Sequence, residues 1–188
     1  MRRAAAALAL AVALALAAPA SAAERRLFVN GDSLAEGTRS HIPRELPSWR
    51  VRQSTRVSRH AYDGADVMRR LGRKLPRVIH VSLGTNDDPN DVEGFRAAIG
   101  EVMEVAGARR CVVWANIVRP PYLHVSYRGY NRALAREAER RDNLRVVNWV
   151  RMVRNHREWL AADGVHVSAE GYRARAKAVA KAVRACVS

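Results

Sequence analysis

Five short apolar runs alternate along the chain with segments whose apolar residues recur at helical spacing. The runs cover residues 27–30, 49–55, 78–83, 111–117 and 144–150. Continuous apolar runs of this kind are typical of parallel strands buried on both faces, and their alternation with helices predicts a doubly wound sheet. Because no linker or repeat divides the chain after residue 22, we predict one three-layer α/β/α domain over residues 23–188.

The helical segments carry apolar stripes that would face this sheet. They comprise Val92, Phe95, Ile99, Val102, Met103 and Ala106 in one helix, Tyr127, Tyr130, Leu134 and Ala138 in the next, and Tyr172, Ala176, Val179 and Val183 in the last. Spacing of three and four residues puts each stripe on one helix face, so we interpret the stripes as core rather than as cofactor contacts. Ser168 stands where it can cap the last helix.

The first 22 residues have the pattern of a secretory signal peptide. A basic start at Met1-Arg2-Arg3 precedes an uncharged run over residues 4–18, and Ala20-Ser21-Ala22 is a small-residue cleavage site. A membrane anchor is the alternative, but spanning a bilayer takes about 20 predominantly apolar residues and this run is shorter. We therefore expect a soluble protein outside the cytoplasm, or one loosely associated with the cell wall.

The chain is strongly basic, with 33 Lys and Arg residues against 18 Asp and Glu residues and a formal net charge of +15. The basic residues are spread along the chain without aromatic interleaving, which argues against nucleic acid as a partner. In a secreted protein such a charge favours an anionic surface such as a wall polymer or phospholipid. A solvated arginine-rich surface without a partner is the alternative.

Two cysteines, Cys111 and Cys186, match the even number expected in an oxidising compartment. Cys111 opens a predicted strand, and Cys186 ends a helix that should run antiparallel to that strand, so both would lie at one edge of the sheet. A disulfide there could stabilise the fold by about 4 kcal/mol in the chain-entropy model. Two separate buried thiols are the alternative.

Three short strings supply the groups of an acyl-transfer site. They are Gly31-Asp32-Ser33-Leu34 after the first strand, Gly84-Thr85-Asn86-Asp87 after the third, and Asp163-Gly164-Val165-His166 before the last helix. Ligand sites of doubly wound sheets lie beyond the carboxyl ends of the strands, where these strings would converge. A serine, a histidine and an acid can act as nucleophile, base and orienter, and an asparagine amide can face an oxyanion.

Each of these residues also has a structural interpretation. Ser33 could simply cap the helix that follows it, because serine is a common N-cap residue. Asp163 and His166 could form a surface pair, and Asn86 could hold its loop together by bonding to the backbone.

The three strings resemble the SGNH or GDSL hydrolases, which carry Gly-Asp-Ser near the N-terminus, Gly-x-Asn-Asp in mid-chain and Asp-x-x-His near the C-terminus. The resemblance spans residues 25–186 and implies a flavodoxin-like fold with a five-stranded parallel sheet. It also implies that Ser33 is the nucleophile, His166 the general base and acid, Asp163 its orienter and Asn86 an oxyanion-hole donor. Residues 148–166 look similar to SGNH domains attached to membrane acyltransferases of bacterial envelopes.

One position departs from this family pattern, in which a glycine after the second strand donates a backbone N–H to the oxyanion hole. The matching residue here is Ser58, within Val57-Ser58-Arg59. A backbone N–H does not require glycine, so Ser58 can still serve, and Gly64 is the alternative donor. Stabilisation of a turn by its side chain is the structural interpretation of Ser58.

Metal or other cofactor binding is not expected from the sequence. The histidines outside the motif, at positions 41, 60, 80, 124 and 156, have no ligand spacing. Asp87, Asp88 and Asp91 suggest calcium, but Pro89 interrupts them and a helix begins just after, where acids favour the helix dipole.

The walls of the substrate pocket are expected after the fourth strand, where Arg119, Pro120 and Tyr122 follow; Trp114 belongs either to this pocket or to the core. Three functions remain. The preferred one is a secreted serine esterase acting on a small-molecule or glycan ester, with an anionic cell-envelope polymer as a possible partner. The others are an O-acyltransferase or deacetylase of cell-wall glycan and a catalytically idle envelope-binding domain.

Overall fold

The computed structural model describes residues 24–188, which form five strands and seven α-helices. The strands are β1 Arg25–Gly31, β2 Trp49–Thr55, β3 Val78–Ser82, β4 Cys111–Ala115 and β5 Leu144–Val147. The helices are α1 Ser33–Gly37, α2 His41–Glu45, α3 Ala61–Leu71, α4 Val92–Ala106, α5 Arg128–Glu139, α6 Trp149–Asn155 and α7 Ala169–Arg184. Short 3-10 turns lie at Gly72–Lys74 and Arg157–Trp159.

All five strands are parallel and lie in the order β2-β1-β3-β4-β5. This arrangement confirms the predicted five-stranded parallel sheet and its flavodoxin-like order. The chain first moves from β1 outward to β2, then returns past β1 to β3 and continues to β5. Because the connections after β1 and β3 diverge, a crevice opens at the carboxyl ends of these two neighbouring strands.

Helices cover both faces of the sheet and enclose a separate hydrophobic core on each. Phe28 points to the face covered by α3, α4 and α5, whereas its neighbours Leu27 and Val29 point to the face covered by α2 and α7. The apolar stripes predicted for α4 and α5 pack into the first of these cores, and Ala176, Val179 and Val183 of the α7 stripe pack into the second. Tyr172 of α7 packs instead against a separate cluster around Trp149 and Trp159. As expected, the side chain of Ser168 caps α7 by accepting the Gly171 N–H.

Two predicted strand ends are wrong. The strand predicted to reach Ile117 ends at Ala115, and the strand predicted over residues 144–150 ends at Val147. There Asn148 caps α6 by accepting the Arg151 N–H, so the backbone turns into a helix. The apolar character continues because Trp149 is buried in a small third cluster, where it stacks on Trp159.

A disulfide joins Cys111 and Cys186, whose Cα atoms are 5.9 Å apart. It ties the first residue of β4 to the chain just after α7, at the edge of the sheet away from the three motif strings. The alternative of two separate thiols is therefore wrong, and the chain end after α7 is linked covalently to β4.

The predicted signal peptide, residues 1–22, lies outside the described residues. Within residues 24–188, none of the helices combines the length and the apolar character that crossing a bilayer requires.

Candidate active site

The three motif strings meet at the carboxyl edge of the sheet. Ser33 directly follows β1, Asn86 follows β3, and Asp163 and His166 lie in the loop before α7. All four line one open pocket of about 330 Å³. The remaining walls of the pocket are Arg119, Pro120, Pro121, Tyr122 and Val165. The structure therefore brings together side chains that are up to 133 residues apart in sequence.

A continuous hydrogen-bond chain connects three of these side chains. The Ser33 Oγ lies 2.9 Å from His166 Nε2, and His166 Nδ1 lies 2.6 Å from Asp163 Oδ2. Because a carboxylate only accepts, Nδ1 carries the proton in this arrangement and Nε2 is left to accept from the serine hydroxyl. This is the geometry that nucleophilic catalysis by serine requires.

The turn that holds Asp163 is built by its own sequence. One carboxylate oxygen of Asp163 accepts the backbone N–H groups of Val165 and His166, both at 2.9 Å, which leaves the other oxygen for the imidazole. Gly164 adopts a φ of +65°, and a Cβ there would lie 2.8 Å from Pro120. The His166 ring, followed by these backbone N–H groups, lowers the pKa of Asp163 to about 2, so the carboxylate stays ionised.

Ser33 lies in a tight turn that is shaped by the two residues before it, Gly31 and Asp32. A Cβ at Gly31 would lie 2.4 Å from the Cβ of Ala35, so only glycine fits there. Asp32, rather than Ser33, is the N-cap of α1 and accepts the Leu34 N–H at 3.0 Å. The hydroxyl of Ser33 is thus not engaged in capping, and its backbone N–H has no hydrogen-bond partner among the described residues.

The position of Asn86 is compatible with both interpretations of its amide, as a residue that holds its loop and as a donor to an oxyanion. Its Nδ2 donates to the carbonyl oxygen of Arg59 at 3.3 Å and thereby ties the β3–α4 loop to the β2–α3 loop. Because an amide nitrogen carries two hydrogens, the second remains for an oxygen in the pocket beside Ser33.

The two candidates for a second backbone donor differ sharply. Gly64 lies inside α3, where its N–H donates to the His60 carbonyl, so it has no donor left for an oxyanion. Ser58 is exposed, with a φ of +57° that L-residues other than Asn and Asp rarely adopt. It lines a neighbouring cavity that also contains Asn86, rather than the pocket around Ser33.

Three of the four residues considered for the pocket wall line the pocket, and the fourth, Trp114, belongs to the core. Arg119, Pro120 and Tyr122 line the pocket, and Arg119 is held by a hydrogen bond to the Thr85 carbonyl. Trp114 is fully buried in the core, where its Nε1 donates to the Leu83 carbonyl.

Beneath Ser33 lie two buried charged residues, Arg175 and Asp32, whose interaction the sequence analysis missed. Arg175 of α7 donates to Ser82 Oγ at 3.0 Å and attracts the carboxylate of Asp32, and both charged residues are at most 2% exposed. Burial raises the pKa of Asp32 against the opposing effect of Arg175, and burial lowers the pKa of Arg175 to about 10. The pair connects the helix that follows His166 to the turn that carries Ser33.

The signal for this pair was present in the pattern of α7. Arg175 follows Tyr172 by three residues and precedes Val179 by four, so it lies within the buried stripe of the helix. A charged residue in such a stripe needs a buried partner. Its guanidinium also lies 5.1 Å from the centre of the Trp149 ring, within cation–π range.

His80 lies in the same interior, and we expect it to make the fold sensitive to acid. Burial lowers the pKa of this side chain from 6.5 to about 4, with Arg175 adding to the effect and the Val113 carbonyl opposing it. Between these two values the unfolded chain binds a proton that the folded chain does not, so stability falls as the pH falls. The free energy of unfolding should drop by up to about 3 kcal/mol from this group between pH 7 and pH 4.

The variant His80→Gln should therefore show a shallower loss of stability over this pH range than the wild-type protein. Denaturant unfolding at several pH values measures the slope, and His124→Gln is the control because the His124 side chain is exposed. Parallel slopes for wild type and His80→Gln would contradict the assignment.

The three aspartates after β3 are engaged in local structure. Asp87 accepts the Ala61 N–H, Asp88 accepts the Asn90 N–H, and Asp91 caps α4 by accepting the Gly94 N–H. Among residues 24–188, no group of three or more His, Cys, Asp or Glu side chains is arranged to hold a metal ion.

Comparisons with known proteins identify a family and a shared fold. The sequence model of the GDSL-like lipase/acylhydrolase family matches residues 29–174. No curated protein matches the sequence significantly.

Several solved structures share the fold. The C-terminal catalytic domain of peptidoglycan O-acetyltransferase A from Streptococcus pneumoniae is 17% identical with a TM-score of 0.67, covering 87% of this chain and 92% of that one. A family 3 carbohydrate esterase from Clostridium thermocellum is 17% identical with a TM-score of 0.69, covering 88% and 100%. The esterase EstA from Pseudoalteromonas is 11% identical with a TM-score of 0.67, covering 86% and 97%.

Proposed function

Because the chain belongs to the GDSL-like lipase/acylhydrolase family and is thus an enzyme that acts on ester bonds, we propose that it hydrolyses carboxylic esters through an acyl-serine intermediate. The observation that carries this proposal is the hydrogen-bond chain from Ser33 through His166 to Asp163 at the mouth of an open pocket. Ser33 is the nucleophile, His166 the general base and acid, and Asp163 the residue that orients the imidazole.

In the first half of the reaction, His166 Nε2 takes the hydroxyl proton of Ser33 while Oγ bonds to the ester carbonyl carbon. The carbonyl oxygen becomes an oxyanion, which accepts hydrogen bonds from the Ser33 N–H and the Asn86 amide. When the tetrahedral intermediate collapses, the bond to the alcohol breaks and His166 returns the proton to the departing oxygen. The acyl group remains on Ser33.

In the second half, water enters and His166 removes one of its protons as the oxygen bonds to the acyl carbon. Collapse releases a carboxylic acid, and the proton returns to Ser33. Asp163 stabilises the imidazolium formed in each half, and its low pKa keeps it charged for this role. Ser58 is a further oxyanion donor in this proposal because its N–H has no partner among the described residues and its left-handed backbone suits a position that usually carries glycine.

Acyl transfer to or from a glycan is the second candidate. It is supported by the structural likeness to a peptidoglycan O-acetyltransferase and to a carbohydrate esterase. For transfer to a glycan, the chemistry differs only in the second half, where a sugar hydroxyl replaces water as the acceptor. For removal from a glycan, the sugar hydroxyl is the alcohol released in the first half, and water remains the acceptor. The pocket is open enough for either acceptor, since its volume of about 330 Å³ exceeds that of a water molecule roughly tenfold.

We expect release of free acid to exceed transfer to sugar. The test incubates the protein with p-nitrophenyl acetate and with longer p-nitrophenyl esters, each with and without an unacetylated glycan oligosaccharide, and quantifies free acid and acylated glycan. An acetylated glycan tests the deacetylase activity in parallel. Faster formation of acylated glycan than of free acid would replace hydrolysis by acyl transfer as the function.

We also propose that the enzyme works outside the cytoplasm. Two features support this location: the leader pattern of residues 1–22 and the disulfide between Cys111 and Cys186, which persists in oxidising compartments.

A further inference from the structure

A second cavity continues from the catalytic pocket on the far side of the Arg119-Pro120-Pro121 segment. It has a volume of about 650 Å³ and shares these three residues with the catalytic pocket. Gly164, in the turn between Asp163 and His166, also lines it. The two cavities therefore share one wall, and an extended molecule that occupies both would lie across this segment. We name this cavity the arginine groove.

The charge of the arginine groove has one sign only. Four arginines line it, Arg119, Arg128, Arg154 and Arg157, and none of its lining residues is an aspartate or glutamate. Arg128, Arg154 and Arg157 are exposed, and none of them forms an ion pair with an acid in the described part of the chain. An anion that enters the arginine groove relieves the mutual repulsion of these arginines. Clefts lined by charges of one sign also raise the local concentration of oppositely charged ligands.

Elsewhere on the described surface, some arginines are neutralised by acids. Arg56, Arg69 and Arg96 each pair with a nearby carboxylate. The cavity between α4 and α5 also contains several arginines, but Glu93 and Glu137 lie among them. A further cavity, beside β5 and α7, is also lined by basic residues without acids. What distinguishes the arginine groove from it is position, because only the arginine groove of these two shares a wall with the catalytic pocket.

Apolar side chains form about half of the lining of the arginine groove, beside the arginines and the polar residues Ser126 and Asn131. The apolar residues are Ile117, Val118, Pro120, Pro121, Val150, Val153 and Leu160. Guanidinium groups pair with carboxylates or phosphates in a fork geometry, whereas apolar walls suit the faces of sugar rings. A ligand that satisfies both kinds of wall carries negative charges at intervals along a chain of rings.

We propose that the arginine groove binds a carboxylate-bearing glycan whose O-acyl ester is presented to Ser33. This inference rests on the proposed ester chemistry and adds the substrate class, an O-acylated acidic polysaccharide. Arg154 and Arg157 are its specificity-determining residues, because they line the arginine groove and do not touch the catalytic pocket.

The test compares chemically O-acetylated alginate, an acidic polymer, with O-acetylated dextran, a neutral one, at matched acetyl content. We expect kcat/KM to be at least about tenfold higher for the acetylated alginate at low salt. The advantage should disappear in 1 M NaCl, where the Debye length is about 3 Å. The double variant Arg154→Gln/Arg157→Gln should lose about 5- to 30-fold of the selectivity ratio between the two polymers.

The matched control is Arg73→Gln/Arg77→Gln, which removes the same charge from two exposed arginines at the opposite edge of the sheet and should keep the selectivity. An equal loss in both double variants would overturn the proposal in favour of net charge alone. Equal rates on the two polymers, with p-nitrophenyl acetate still cleaved, would overturn it while leaving the esterase function intact.

Binding provides a readout that does not depend on turnover. Unacetylated alginate should bind Ser33→Ala protein, and the same protein carrying the Arg154→Gln/Arg157→Gln changes should bind it more weakly by a similar factor. If no ester is cleaved, this measurement still decides the inference: binding that is unchanged by the two substitutions overturns it. Inorganic polyphosphate that binds as tightly as alginate would overturn the assignment of an acidic glycan.

Discussion

Ser33→Ala should lower kcat for p-nitrophenyl acetate at least about 10⁴-fold. Removing Oγ removes the atom that bonds to the acyl carbon, and the hydrogen bond to His166 Nε2 is lost with it. The rest of the site is expected to remain, because Asp32 rather than Ser33 caps α1. Initial-rate kinetics combined with a thermal melt separate the loss of chemistry from any loss of fold.

The matched control is Ser40→Ala. Ser40 is exposed at the start of α2, and its side chain makes no capping hydrogen bond, so this variant should retain the wild-type rate and melting temperature. A near-wild-type rate for Ser33→Ala would mean that turnover does not pass through an acyl-serine. If the wild-type protein and Ser33→Ala are equally inactive on every ester while binding is unaltered, an idle envelope-binding domain is the better description.

The sheet could be predicted from the sequence because buried parallel strands leave a strong pattern. The run at residues 78–83 has no side that faces water, and all five residues of β3 are indeed buried. The ends of strands are harder to predict. Trp149 looks like a continuation of β5, but its side chain enters a different cluster after the Asn148 cap, and hydrophobicity alone does not distinguish these two destinations.

The meeting of the motif side chains at one place could be predicted because residues that follow neighbouring parallel strands lie at the same edge of the sheet. Ser33 and Asn86 follow β1 and β3, which pair directly, and the residues next to each strand end share one edge. No comparable rule identifies what lies around them. Arg175 reaches Ser82 and Asp32 only through the packing of α7 on the sheet, which depends on every helix and loop between them.

The conformation of Ser58 likewise depends on tertiary packing that the sequence does not reveal. Its place after β2 made it the candidate for a second donor, but its φ of +57° and its location on the neighbouring cavity depend on how the loop after β2 closes against Arg59. Arg59 is buried, and it donates to Asn30 and to the Ser54 carbonyl. These buried contacts determine the conformation of the loop, and local sequence patterns do not predict them.

Asn86→Ala should lower kcat by about 10²- to 10³-fold and leave KM nearly unchanged. In the proposed mechanism the amide donates to an oxygen whose negative charge develops only in the transition state, so its removal should affect the barrier more than substrate binding. Steady-state kinetics with p-nitrophenyl acetate measure both constants. Asn90→Ala is the control from the same loop, since Asn90 is exposed and its side chain bonds only to Asp88.

The hydrogen bond from Asn86 to the Arg59 carbonyl supplies the competing explanation. If Asn86 only held the two loops together, its loss would loosen the pocket, so KM would rise and the melting temperature would fall together with the rate. A selective loss of kcat at an unchanged melting temperature assigns the second amide hydrogen to the oxyanion. A wild-type rate in Asn86→Ala would remove this side chain from the mechanism and leave the backbone N–H of Ser33 as the main donor.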